Sequence, residues 1–280
     1  CIRDRHKCGC KYILIFIIPQ KKNYKKCFCK FTVLNNDMNL VVDVGNTFVK
    51  LAVFEGTKLI YKKTSEPNFI QKEIFLIKEK FKIIDKVILS TVGTLKKEDV
   101  TFLKNNFDFL QLDELTKLPF NNLYKTPNTL GLDRICLVSA SVQIYPNKNV
   151  LIIDAGTCIT YDFINKDNKY LGGAISPGIV MRYKALNNFT AKLPLLEPEF
   201  PENMIGNSTK DAIHSGVLFG VLNEIDGVIE SYKLIYKDLT VILTGGDTNF
   251  LSKQLKSSIF ANSNFLLEGL NYILHFNTNQ

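Results

Sequence analysis

Two stretches of this chain repeat one another 111 residues apart. An apolar run at 39–44 ends in Asp43-Val-Gly45-Asn-Thr47, and a second at 150–153 ends in Asp154-Ala-Gly156-Thr157. Each is followed by two strand-like segments, 48–54 and 58–63 after the first, 158–164 and 169–176 after the second. Solenoid units repeat every 20–50 residues or so, and a period this long instead indicates duplicated domains. Two α/β halves facing each other leave a cleft, and clefts between domains are where small ligands bind.

The rest of the pattern alternates. Apolar spacing predicts helices over 70–81, 98–105, 132–145, 179–188, 209–236 and 268–275, with strands over 86–90, 109–112 and 239–243. Pro146 closes the third helix. The expected domains are therefore 38–148 and 149–280.

Composition limits the alternatives. At 46% apolar and 22% charged residues, the chain is globular rather than disordered. The longest uninterrupted apolar run, 12–18, has seven residues, against the roughly 20 a spanning helix needs, so no membrane partner is expected. Thirty-five basic residues face 27 acidic ones, but nine of the former and only two of the latter lie in residues 1–37. The remaining 26 and 25 nearly cancel. A nearly neutral body offers no basic face for nucleic acid.

Residues 1–37 also hold five of the seven cysteines, and Met38 directly precedes the first strand pattern. We read them as a disordered leader, non-native or translated from upstream, with Met38 as the true start. A secretory signal fits less well, because its apolar stretch is short and lacks a small-residue cleavage site. A metal site at Cys8-x-Cys10 and Cys27-x-Cys29 lacks the two-residue gap of common zinc knuckles. The body's two cysteines, Cys136 and Cys158, suit a reducing, cytoplasmic compartment.

A Gly after a strand lets backbone N–H groups approach an anion. An Asp at the strand end can hold Mg²⁺, which takes few carboxylates and several phosphate oxygens. One such loop is an ordinary hairpin; two in register with a repeated fold are a nucleotide signature. Thr244-Gly245-Gly246-Asp247 is a third Gly loop after a strand; alone it reads as an ordinary strand-to-helix turn, and beside the other two loops it would pack near the adenine and ribose. Arg is scarce in the body, which has only Arg134 and Arg182. A planar fork is needed where a carboxylate or phosphate is gripped by two bonds. In Gly131-Leu132-Asp133-Arg134, Asp133 can act as a base and Arg134 as an anion clamp, or the two can form a helix-start pair. Arg182 reads as structural or dimer-facing. His214, without a second His or Cys nearby, reads as core or surface, His275 as a helix-end residue, and Cys136 and Cys158 as small fillers.

Asp43-Val-Gly-Asn-Thr-Phe-Val-Lys50, Gly131–Arg134, Asp154-Ala-Gly-Thr157 and Gly172-Gly-Ala-Ile-Ser-Pro-Gly178 appear in this order. Together they closely resemble type III pantothenate kinase, over essentially all of 38–280. The resemblance implies two duplicated ribonuclease H-like, actin-like ATPase domains with an interdomain cleft. It implies ATP-dependent phosphorylation of pantothenate to 4′-phosphopantothenate, the first step of coenzyme A synthesis. Asp43, Val44, Gly45, Asn46, Thr47, Phe48, Val49 and Lys50 would form the first phosphate loop, with Asp43 near Mg²⁺ and Thr157 touching ATP. Asp133 would be the general base. Tyr124, Gly131, Leu132, Asp133, Arg134 and Thr209 would contact pantothenate, with Arg134 on its carboxylate side. Asp154 would bind a monovalent cation, K⁺ or NH₄⁺. Family members are usually homodimers with pantothenate near the subunit interface. The competing readings are another phosphotransferase with the same loops and a nucleotide-binding regulator without turnover.

Overall fold

The computed structural model describes residues 38–45, 47–93 and 95–278. The expectations for residues 1–37, and for Asn46 in the first loop, lie outside these residues.

The repeat visible in the sequence is a repeat of topology. β1 (Met38–Val44), β2 (Val49–Glu55) and β3 (Lys58–Ser65) form an antiparallel meander. α1 (Ile70–Lys80) leads to β4 (Ile84–Thr91), which lies parallel to β1 on its other side. α2 (Lys97–Asn106) leads to β5 (Asp108–Gln111), parallel to β4. The sheet order is β3-β2-β1-β4-β5. After β6 (Asn121–Asn122) and α3 (Leu132–Ile144) the scheme restarts. β7 (Asn149–Ala155), β8 (Cys158–Ile164) and β9 (Lys169–Pro177) form the second meander. α4 (Ile179–Asn188) and α5 (Thr209–Ile235) lead to β10 (Leu239–Thr244), parallel to β7. The short α6 (Thr248–Leu251) leads to β11 (Phe260–Ala261), and α7 (Phe265–Thr278) follows. The second order, β9-β8-β7-β10-β11, reproduces the first, with β6 added beside β9.

β6 belongs to the second sheet although it precedes it in the chain. Asn121 and Asn122 pair in parallel with Lys169 and Tyr170, and the Leu123 N–H donates to the Tyr170 carbonyl at 3.0 Å. Two residues carry no detectable period, so this strand was not expected.

Strand period sorts the core into layers. Leu40, Val42, Val44, Val49, Leu51 and Val53 face outward onto α1 and α2. Their neighbours Val41, Ala52, Phe54 and Ile88 face inward. From the other sheet Val150, Ile152, Ile164 and Ile242 join the same inner layer, which α3 and α7 fill. A Cβ added at Gly269 of α7 would lie 1.9 Å from the Cys136 carbonyl oxygen of α3, so these helices meet backbone to backbone there. α7 starts at Phe265, earlier than the sequence spacing indicated, because Phe265 and Leu267 are part of that inner layer.

α5 carries a feature that run length does not reveal. It is the one helix among the described residues long and apolar enough to cross a membrane by length and composition. A count of unbroken apolar runs misses it because polar residues interrupt the sequence. Its buried stripe of Val217, Leu218, Val221, Leu222, Ile225 and Ile229 packs with Leu151, Ile153 and Leu243 of the second sheet. His214 is likewise a core residue, its Nδ1 2.7 Å from the Tyr183 hydroxyl. His275, in the last turn of α7, also reaches the first half, with Nε2 3.1 Å from the Gly56 carbonyl.

Candidate active site

Asp43 and Asp154 occupy equivalent positions, each near the end of its sheet's central strand. Asp43 is cross-strand partner to Lys50, and Asp154 to Thr160. The loops that follow are tight hairpins, closed by Gly45 N–H to the Phe48 carbonyl at 3.0 Å and by Gly156 N–H to the Cys158 carbonyl at 2.9 Å. Val44 and Val49 are buried, while Thr47, Phe48, Lys50 and Thr157 are exposed around them.

The third Gly loop folds over the second. The Asp247 N–H donates to the Ala155 carbonyl at 3.0 Å. Gly245 has φ +95°, and a Cβ there would lie 2.3 Å from Asp154 Oδ1. Glycine is required by both the backbone conformation and the space beside the carboxylate. The loop borders the Asp154 site.

The first turn of α3 brings the third carboxylate. Asp133 Oδ1 accepts the Arg134 backbone N–H at 2.8 Å, folding the side chain over Gly131. Fields couple the three acids. Burial raises the pKa of Asp43, Lys50 at 3.6 Å opposes that rise, and Asp133 adds to it. Asp154 is pushed up to about 6, mainly by burial and then by Asp133, with Lys50 opposing and Asp162 and Asp43 adding. Like charges held together out of bulk water disfavour ionisation, and such perturbation clusters where chemistry is done. Among the described residues, no group of three or more His, Cys, Asp and Glu side chains forms a ready metal cage. Asp43 and Asp154 each offer a carboxylate beside a tight loop, a donor chemistry that fits a cation completing its shell from phosphate and water, as Mg²⁺ does.

Arg134 does not form the helix-start pair with Asp133 that the sequence allowed. Its guanidinium does not bind Asp133. It reaches buried Asp162 on β8, with Nε and Nη2 at 2.8 and 2.7 Å from Oδ1. Burial works against its charge, but the hydrogen bond and charge of Asp162 outweigh this and hold the guanidinium protonated. Tyr124 lies alongside, its ring centroid 5.5 Å from the guanidinium carbon. Tyr124, Gly131, Leu132, Asp133 and Arg134 are thus brought to one end of α3. Thr209 is not with them. It starts α5, on the wall of a cavity of about 870 Å³ between α4 and α5 that also includes Arg182, Phe189 and Leu193. Arg182 is structural: its guanidinium spans the Pro177 carbonyl, Ser176 and Glu224, while Tyr161 bonds Glu224 from the other side at 2.9 Å. Sequence reading missed Asp162, Tyr170 and Glu224, since none stands in a motif that announces its partner.

Two copies of one sheet topology, with acidic strand ends gathered at loops fit for phosphate, define an actin-like ATPase fold of the kinase type. A Listeria monocytogenes structure described as an N-acetylmannosamine kinase shares this fold with TM-score 0.50 at 11% identity, covering 85% of this chain and 98% of that one. A Campylobacter jejuni structure described as a Baf family transcriptional activator aligns with TM-score 0.54 and 25% identity, over 86% of this chain and all of that one. The family model for type III pantothenate kinase matches residues 39–231. A type III pantothenate kinase from Christiangramia forsetii is 54% identical over 247 residues, 87% of this chain and 100% of that protein. Another, from Flavobacterium johnsoniae, is 49% identical over 235 residues, 83% of this chain and 96% of that protein. The chain belongs to the type III pantothenate kinase family.

Proposed function

We propose that the chain transfers the γ-phosphoryl group of ATP to the terminal hydroxyl of pantothenate, opening coenzyme A synthesis. The observation that carries this reading is the repeated strand-end acid, Asp43 and Asp154, each followed by a tight Gly hairpin, with Asp133 in the first turn of α3 raising the pKa of both. The 38–148 and 149–280 halves serve as the two lobes around the nucleotide. Asp133 accepts the proton of the substrate hydroxyl as its oxygen bonds to the γ-phosphorus and the bond to the ADP oxygen breaks. One carboxylate within reach suffices, because phosphoryl transfer mainly asks the protein to position groups and offset charge. The loop 43–50, including Val44, Gly45, Asn46, Thr47, Phe48 and Val49, holds the phosphates with Lys50, and Thr157 meets them from the other lobe. Asp43 would hold Mg²⁺, which when bound draws charge from the phosphate oxygens. Asp154 would hold K⁺ or NH₄⁺, whose charge would offset that of the buried acid. Tyr124, Gly131, Leu132 and Arg134 receive pantothenate, Arg134 at its carboxylate.

Thr209 lines the cavity between α4 and α5 with Phe189, which is 88% exposed, and Ile205, four residues before it in the chain, is 86% exposed. We infer a homodimer in which this face meets its copy and Thr209 serves the neighbouring site. The assignment to cytoplasm, without membrane or nucleic-acid partners, rests on the family and the nearly neutral body. The test is coupled ADP release from the full chain with Mg-ATP and pantothenate, with and without K⁺ or NH₄⁺. Release that needs both pantothenate and the cation is expected. Asp133→Asn should lower turnover by at least about a hundredfold with ATP binding retained. Near-normal turnover in that variant rejects Asp133 as the base. A folded, ATP-binding protein that releases no ADP would favour the regulatory reading.

A further inference from the structure

We propose that Asp162 and Tyr170 are positioning residues for pantothenate: they set which edge of Arg134 faces the acceptor. The inference rests on the reading that Arg134 meets the pantothenate carboxylate.

Asp162 is fully buried at the middle of β8. Its Oδ1 receives Arg134 Nε at 2.8 Å and the Tyr170 hydroxyl at 2.6 Å, and lies 2.7 Å from Arg134 Nη2. Its Oδ2 accepts the Thr160 hydroxyl at 3.2 Å. A carboxylate so engaged has no capacity left for chemistry, and a buried charge is tolerated only when it is matched in this way. The guanidinium is shared between Asp162 and the Tyr124 side chain. Nη2 is buried and has no hydrogen-bond partner of its own beyond that ion pair. A guanidinium nitrogen carries more than one N–H, so a donor engaged only by that ion pair can also serve a carboxylate or carbonyl oxygen.

The same base holds the second substrate residue. The Tyr124 and Tyr170 rings stack at 6.1 Å and 24°. Gly172, two residues after Tyr170, has φ +104°, and a Cβ there would come within 3.3 Å of the Tyr124 ring. Arg134 and Tyr124 precede β7, β8 and β9 in the chain, yet both rest on β8 and β9. Asp162 restrains the guanidinium, Tyr170 restrains Asp162 and supports Tyr124, and Gly172 leaves room for the ring. Without the Asp162 charge the guanidinium can turn, and the substrate must then bear the entropy of ordering it.

The test is steady-state kinetics of the full chain with each substrate varied, for Asp162→Asn, Tyr170→Phe, Arg134→Lys and the Asp162→Asn/Arg134→Lys double variant. Asp162→Asn should raise the pantothenate KM about tenfold, a common size for coupled contacts, and leave the ATP KM within about twofold. Tyr170→Phe keeps the ring stack and should raise it by about threefold; it carries the test if the Asn variant fails to fold. Because Asp162 acts through Arg134, its effect should shrink or vanish in the Arg134→Lys background. Additive effects, an equal rise in the ATP KM, or an unchanged pantothenate KM in both Asp162→Asn and Tyr170→Phe would overturn the inference. If Arg134→Lys itself leaves the pantothenate KM unchanged, the reading of Arg134 falls and the inference falls with it. A rise in Arg134→Lys alone defeats only the inference.

Discussion

Asp154 shows how far a single side chain can be moved by its surroundings. Its folded-state pKa of about 6 exceeds the ordinary 3.8, with burial as the leading cause and Asp133 next. The folded chain therefore keeps a proton that the unfolded chain releases between roughly pH 4 and pH 6. This acid favours the folded state below the unfolded pKa, and that advantage is lost as pH rises through about 6. In cation-free buffer Asp154→Asn should be more stable than the parent at pH 7, by an amount on the order of 1–3 kcal/mol, and this advantage should vanish near pH 4. Calorimetry at several pH values checks it; a constant difference across pH would count against the burial argument. Added K⁺ should raise the parent melting temperature and leave the variant unmoved. At this scale the sequence was legible where a residue sits in a motif. Asp43, Asp133 and Asp154 could be read from their loops. Asp162 could not, because its meaning lies in Arg134, 28 residues away in the chain and brought within 2.8 Å only by folding.

Among the elements, strands and long helices were readable because burial on one face imposes a period of two or about 3.6. α5 illustrates both that period and its termini. Ser208 precedes it in extended conformation, and its hydroxyl accepts the Asp211 N–H at 3.1 Å. Ser208→Ala should cost about 1 kcal/mol of stability, seen as a lower midpoint in urea with an unchanged slope; no shift would mean that water replaces the cap at no cost. The α3–α7 crossing is less forgiving. Gly269→Ala would press a methyl onto the Cys136 backbone, and overpacking of this kind costs roughly 1–3 kcal/mol. A melting temperature equal to the parent's would show that the helices can separate freely. β6 and the early start of α7 escaped sequence reading for one reason. A two-residue strand and a helix end are decided by the partners they find, not by local pattern.

For the whole molecule, the exposed face around Phe189 and Ile205 leads to an expectation about assembly. The protein should sediment as a dimer at micromolar concentration. Phe189→Asp should shift it toward monomer and raise the pantothenate KM, since Thr209 would no longer reach a neighbouring site. A parent chain that sediments as a monomer with full activity would reject this arrangement. The duplication, the two Asp-x-Gly loops and the family were determined by the sequence alone, because strand period and loop chemistry are local and recur in register. The tertiary structure decided what those local signals are attached to. It set α3 and α7 between the sheets, seated Arg134 and Tyr124 on the second sheet, and turned Arg134 from Asp133 to Asp162. Each of these rests on contacts between residues distant in the chain. Such contacts form only when burial of the shared inner layer brings the two halves together, and no local period records them.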